Sequence, residues 1–207
     1  MHQPSYFKLE DSQQMLEIIT NNPLATIVSL SSNGLVGNHI PMIVVEKNGK
    51  HVLQGHVSKV NSIWQDYDES TDIIVIFHGP ESYISPNWYS SKKVAGKEVP
   101  TWDYVAVHVS GKMSFFHDKQ WLTKHLIKLS DFNEQSMPMP WKLTDAPVDY
   151  IDKMLGAIVG FEIEITNMTA QVKMSQNHPE ENRKGVISGL RALDKENVAL
   201  WVEKPNG

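Results

Sequence analysis

The sequence predicts an antiparallel β-barrel or α+β domain, mainly β with peripheral helices, and three observations carry that reading. Asn33-Gly34 and Asn48-Gly49 each sit between stretches rich in apolar residues, as hairpin turns do. Strand-like and helix-like segments follow no regular βαβ rhythm, which disfavours a doubly wound sheet. The 207 residues suffice for one substantial core and contain no internal repeat. One domain, 1–207, with helical additions at about 118–157 and 179–203, is therefore the expectation.

The elements follow in order. Asp11 and Gln14 form a capping-box pattern, Met15, Leu16, Ile18 and Ile19 give an apolar helical face, and Asn21-Asn22-Pro23 ends it. Beyond Pro23 the pattern turns to β: Leu24 to Leu30, Ile40 to Glu46 and His51 to Gly55 read as strands around the two Asn-Gly turns. Ile73 to Phe77 reads as a buried strand and Tyr104 to Phe116 as a long one. Between them Gly79 to Pro100 reads as a structured loop, too aromatic for a linker. From Asp118, Trp121, Leu122, His125, Leu126 and Leu129 recur at helical spacing. Ser136 to Pro140 cannot sustain a helix, and Pro147 opens another that runs to Ala157. Gly160 to Thr166 and Thr169 to Ser175 read as a pair of strands, and Pro179 to Leu193 as a helix with glutamates in its first turn.

Composition excludes several classes. The chain has no cysteine, so it has no disulfide, thiolate metal site or cysteine nucleophile, which fits a reducing, cytoplasmic setting. Its N-terminus lacks the basic and apolar regions of a secretory signal. Ile73 to Phe77 is far shorter than the roughly 20 residues needed to cross a bilayer, so no membrane association is expected. A formal net charge of -5 opposes binding to a polyanion. Arg183, Lys184 and Arg191 come nearest to a basic recognition helix but share theirs with two glutamates, so direct DNA binding is not evident. No Gly-rich phosphate loop, Gly-x-Ser-x-Gly elbow or His-Glu-x-x-His helix occurs. His51 with His56, and His117 with His125, lack the i, i+4 spacing that brings two imidazoles onto one helix face, so no metal site is expected.

Three polar-aromatic strings stand out: Gly55-His56-Val57-Ser58-Lys59-Val60-Asn61, Tyr83-Ile84-Ser85-Pro86-Asn87-Trp88-Tyr89-Ser90-Ser91-Lys92, and Val99-Pro100-Thr101-Trp102-Asp103-Tyr104. Each mixes cationic or hydroxyl groups with flat rings. That is the pairing a phosphorylated aromatic cofactor requires: donors for a dianion, rings for a heterocycle. Core packing of the aromatics and ordinary solvation of the lysines explain the same residues equally simply.

These strings, with His39-Ile40-Pro41 before them and Lys173-Met174-Ser175-Gln176-Asn177 after them, closely resemble the PaiB family of FMN-binding negative transcriptional regulators, from about Pro4 through the Pro179 to Leu193 helix. The resemblance implies a dimeric split β-barrel like that of pyridoxamine-phosphate oxidases, with FMN at the subunit interface. Its motifs fall on His56, Lys59 and Asn61; on Tyr83, Ser85, Trp88, Tyr89 and Lys92; and on Thr101, Trp102 and Tyr104. Lys59 and Lys92 are then assigned to the phosphate, Ser85 and Thr101 to neutral donors, and Trp88, Tyr89 and Trp102 to the ring system. Two positions depart from the family pattern. Asp103 stands where asparagine is usual, and would repel the phosphate if it faced it, weakening or abolishing FMN binding. His178 stands where arginine is more common.

The implied role is negative regulation through flavin occupancy or redox state, with no catalytic residues. The alternatives are an FMN-dependent oxidoreductase or flavin reductase, and a haem-binding protein, since relatives of this barrel bind haem.

Overall fold

The computed structural model describes residues 1–92 and 96–204. Among these the fold is α+β, with eight strands in one antiparallel sheet and six helices. The strands are β1 (Lys8–Leu9), β2 (Leu24–Ser31), β3 (Gly34–Pro41), β4 (Ile43–Lys47), β5 (Lys50–Ser58), β6 (Ile73–Ile84), β7 (Thr101–Phe116) and β8 (Ile158–Lys173). Their order is β3-β2-β6-β7-β8-β5-β4, and β1 also pairs with β8. The helices are α1 (Ser12–Asn21), α2 (Ile63–Asp66), α3 (Lys119–Glu134), α4 (Val148–Leu155), α5 (Glu180–Arg191) and α6 (Glu196–Glu203). The chain forms two compact units: Met1–Asn22, Phe77–His108 and Met168–Gly207 make the first, Pro23–Ile76 and Val109–Asn167 the second.

In the second unit, β2 and β3 pair from Leu24↔Pro41 to Ser31↔Gly34 around Ser32-Asn33, with Gly34 at φ 105. That is one residue earlier than the expected turn. Asn48 and Gly49, at φ 54 and 74, close the β4–β5 hairpin, the left-handed pair such a tight turn demands. The expected strand from Ile40 to Glu46 is interrupted. Pro41 donates no backbone hydrogen bond, the Met42 amide donates to the carbonyl of Pro23, and the chain leaves β2 to pair with β5. The core gathers Ile27, Leu53, Phe161 and Ile163, all fully buried. Gly55 admits the ring of Phe161, for a Cβ there would lie 2.4 Å from it.

In the first unit, Asp11 caps α1 through the amides of Gln13 and Gln14, and the four expected apolar residues are all buried. Helix α5 carries Gly185 and Gly189 one turn apart, and they admit Trp88: a Cβ on Gly185 would meet the Trp88 carbonyl at 1.9 Å, one on Gly189 the indole at 2.3 Å. Buried Asn182 ties the same helix to Ser90 and Ser91.

Two readings need correction. Gly79 to Ile84 belong to β6 and Pro86–Trp88 form a 3₁₀ turn, so the expected loop is shorter; its residues 93–95 lie outside the described residues. The pair of strands expected at 160–175 is one 16-residue strand, β8. Asn167-Met168 lacks glycine or proline to reverse the chain, and Thr166 is held by Asp72 and the Ser110 carbonyl.

Candidate functional site

The structure distributes the eleven candidate residues over both units. His56, Lys59 and Asn61 lie in the second, at and just beyond the end of β5. Lys59 is pinned through its backbone: its amide donates to the Ala157 carbonyl and its carbonyl accepts from the Trp64 indole. Its side chain is exposed and has no ion-pair partner among the described residues, and neighbouring Val60 is 93% exposed. A fixed backbone presenting a free ammonium suits a phosphate dianion. Asn61 is more committed, accepting from the Ile63 amide at 3.0 Å and donating to Asn38 Oδ1 at 2.6 Å.

His56 is half-buried and pairs with His125 of α3, Nδ1 to Nε2 at 3.1 Å. A chain of packing fixes this contact. His56 stands opposite Gly160 in the β5–β8 register, and Gly160 leaves room for Trp121, whose ring a Cβ there would meet at 2.1 Å. Trp121 stacks on Phe116 at 4.6 Å and on His125 at 5.4 Å. Burial, followed by the neighbouring His56 and Lys128, lowers the His125 pKa to about 4, and burial also lowers that of His56. Periodicity read His125 as one more position on an apolar helix face; no spacing rule links it to His56. The histidine pair runs between two elements, not between His51 and His56 or His117 and His125.

The other eight lie in the first unit. Trp102, 53% exposed, and half-exposed Tyr83 meet edge to face at 6.2 Å, offering flat apolar surface. Trp102 and Tyr104 line a groove of about 370 Å³ with His78, Glu81 and His108. Trp88 is spent on the glycine face of α5. Ser85 caps the 3₁₀ turn through the Asn87 amide, and Lys92 donates to Asn87 Oδ1.

Because β7 is a strand, the Thr101 to Tyr104 string divides between two faces. Trp102 and Tyr104 share one. Thr101 and Asp103 take the other, where they line a cavity of about 180 Å³ with Tyr89, Glu98, Val99, Lys173, Ser175, Asn177 and His178. Asp103 is 0% exposed, accepts from the Ser175 hydroxyl at 2.6 Å, and is pushed up to about 6 by burial, against which the Ser175 bond pulls down. Tyr89, 1% exposed, stacks on His178 at 4.6 Å. Lys173 donates to Thr101 Oγ1 and to the Trp102 carbonyl. Asp103 and His178, the two departures from the family pattern, thus line one cavity. Among the described residues no cluster of three or more metal-ligating side chains occurs, and no helix is long and apolar enough to cross a membrane.

Residues 1–167 match a family model described as "Putative FMN-binding domain". The chain belongs to this family. It is 28% identical over 204 residues to the protease synthase and sporulation protein PAI 2 of Bacillus subtilis, covering 98% of this chain and 95% of that one. It is also 31% identical to an uncharacterized protein of Emericella nidulans, covering 86% and 85%. The fold is shared with the flavocytochrome Anf3 from Azotobacter vinelandii (TM-score 0.59, 14% identity, 88% of this chain and 78% of that one). It is shared equally with an FAD and heme binding protein from Mycobacterium smegmatis (TM-score 0.60, 13%, 88% and 80%). The PaiB-type resemblance and the antiparallel split-barrel class therefore stand, and FMN is the cofactor of the family. The side chains fit that group by donor chemistry. In the second unit Lys59 offers a cation with no ion-pair partner among the described residues; in the first, taken by itself, Tyr83 and Trp102 offer exposed rings, while Asp103 faces an interior cavity away from the face of Trp102 and Tyr104.

Proposed function

We propose that this protein is an FMN-binding negative regulator of transcription, a cytoplasmic homodimer in which flavin occupancy or redox state biases a conformation that a protein partner reads. The observation that carries this reading is the similarity, along nearly the whole chain, to the PAI 2 sporulation protein. Lys59 is assigned to the phosphate, with His56 as a further donor and Lys92 and Ser85 as secondary candidates. Tyr83, Trp102 and Tyr104 are assigned to the ring. Bound FMN supplies reversible redox chemistry; the side chains bind and orient it.

Regulation through a protein partner is favoured because the cations of α5 are already engaged. Arg183 donates to the carbonyls of Val202 and Glu203, Lys184 pairs with Glu180 and Glu181, and Arg191 pairs with Glu196 and Glu203. A helix whose cations are already engaged gains little from phosphate contacts. Comparing transcripts in cells carrying the native chain, Lys59→Ala or no copy tests the proposal. Derepression in both altered strains is expected; native transcript levels in cells lacking the chain would refute it.

A second reading, an FMN-dependent oxidoreductase or flavin reductase, is favoured by the buried acid Asp103 beside Tyr89, an arrangement associated with proton handling. Oxidation of reduced nicotinamide by the flavin-loaded protein, well above that by free FMN, would select it.

A further inference from the structure

We infer that Met139, with Met137 beside it, is a reversible oxidation site, at which a hydroperoxide converts the two thioethers to sulfoxides without disturbing the fold. The chain contains nine methionines and no cysteine, so thioethers are its only side-chain sulfur and the thiol routes of peroxide chemistry are closed to it. The methionines divide sharply by environment. Met15, Met42, Met113 and Met174 are buried, whereas Met137 is 51% and Met139 88% exposed. Methionine ordinarily serves to fill gaps in a core, a role that Met139 does not play, and what the position offers instead is an accessible, oxidisable sulfur.

The local chain presents the pair. Glu134, the last residue of α3, closes a short loop at both ends: its backbone carbonyl accepts from the Met137 amide and its carboxylate from the Trp141 amide, each at 2.9 Å. Pro138 and Pro140 flank Met139 and fix φ on either side of it. The loop belongs to no helix or strand, and both side chains are exposed, so the larger and more polar sulfoxides displace no packed neighbour. In the reaction a sulfur lone pair attacks one peroxide oxygen, and the S–O bond forms as the O–O bond breaks. The proton on the transferred oxygen passes to the departing hydroxide, which leaves as water; sulfur loses two electrons and the peroxide gains them. An apolar tip thereby becomes a polar acceptor, and a methionine sulfoxide reductase can undo the change.

The test is a time course of the full, folded chain in hydrogen peroxide, read site by site by fragment-ion mass spectrometry. Met139 is expected to gain oxygen first and Met137 next, both at least about tenfold faster than Met15, Met42, Met113 and Met174, with the difference vanishing in denaturant. Met1 and Met154, less exposed than either, should follow the pair. Protein carrying oxygen only at Met137 and Met139 should keep the native thermal midpoint, and methionine sulfoxide reductase should restore both thioethers without unfolding. Met137→Leu combined with Met139→Leu conserves volume and should remove the fast phase of peroxide consumption. Buried methionines that react as fast as Met139 in the folded chain, a lowered thermal midpoint when only the pair is oxidised, sulfoxides that the reductase reaches only after unfolding, or an unchanged fast phase in the folded double variant would each overturn the proposal.

Discussion

His56 Nδ1 lies 3.1 Å from His125 Nε2, and His125 Nδ1, on a residue 1% exposed, has no partner among the described residues. One of the two rings must donate. If His56 donated, His125 would bury an unpaired N–H; if His125 donates, it buries only a bare lone pair, the less costly choice. The second arrangement leaves His56 Nε2 protonated, a neutral donor. In a fold that binds an anionic cofactor, that tautomer is the useful one.

The pair should make the protein acid-sensitive. The folded pKa of His125 is depressed to about 4 from the ordinary 6.5, so its contribution to stability is present above pH 6.5 and lost as pH falls towards 4. The loss amounts to about 3 kcal/mol. Denaturant melts across that window should show the decline in the native chain and a flatter profile in His125→Gln.

Gly160→Ala tests the packing that sets the pair. The new methyl would reach within 2.1 Å of the Trp121 ring, which must swing off His125 and Phe116. A loss of about 1–3 kcal/mol in stability and a change in tryptophan fluorescence are expected; a melt identical to the native one would show that Trp121 does not hold this position.

Asp103 should act in the opposite sense to His125. Its folded pKa, raised to about 6 from 3.8, makes the native state the better proton binder, so stability declines as pH rises from about 4 to 6. Asp103→Asn removes the ionisation and keeps an acceptor for Ser175. It should be more stable than the native chain by up to about 3 kcal/mol at pH 7.5, and equal to it near pH 4. Equal stability at both pH values would place the carboxyl in contact with solvent.

The two candidate phosphate lysines are distinguishable. Lys59→Ala removes an unpaired exposed ammonium and should weaken FMN by about 1–3 kcal/mol with stability unchanged within about 0.5 kcal/mol. Lys92→Ala also frees Asn87 and should loosen the turn at Pro86–Trp88 in addition to any loss of FMN. A larger FMN defect in Lys92→Ala than in Lys59→Ala would exchange the two roles.

Periodicity carried much of the fold because burial follows it. The four apolar residues of α1 and the inward-facing Val105, Val107 and Val109 of β7 lie where their spacing puts them. Strand ends were harder to read. β6 runs on through Gly79 and Pro80, and β8 crosses Asn167-Met168, because partner strands and side-chain bonds such as Thr166 to Asp72 outweigh local propensity. Of the site, the strings were legible but their division was not. A four-residue motif reads as one unit in sequence, whereas a strand sends Thr101 and Asp103 to one face and Trp102 and Tyr104 to the other. Lys173, Ser175 and His178 reach Thr101, Asp103 and Tyr89 across roughly 70 to 90 residues of sequence, a closeness that only folding creates.

The most direct test is titration of the purified protein with FMN, followed by flavin absorbance and fluorescence, in the native chain and in Lys59→Ala, with size-exclusion chromatography setting the stoichiometry. Tight, quenched binding of one FMN per subunit of a dimer, weakened in Lys59→Ala, is the predicted result. A folded native protein that leaves FMN fluorescence unchanged would contradict the account.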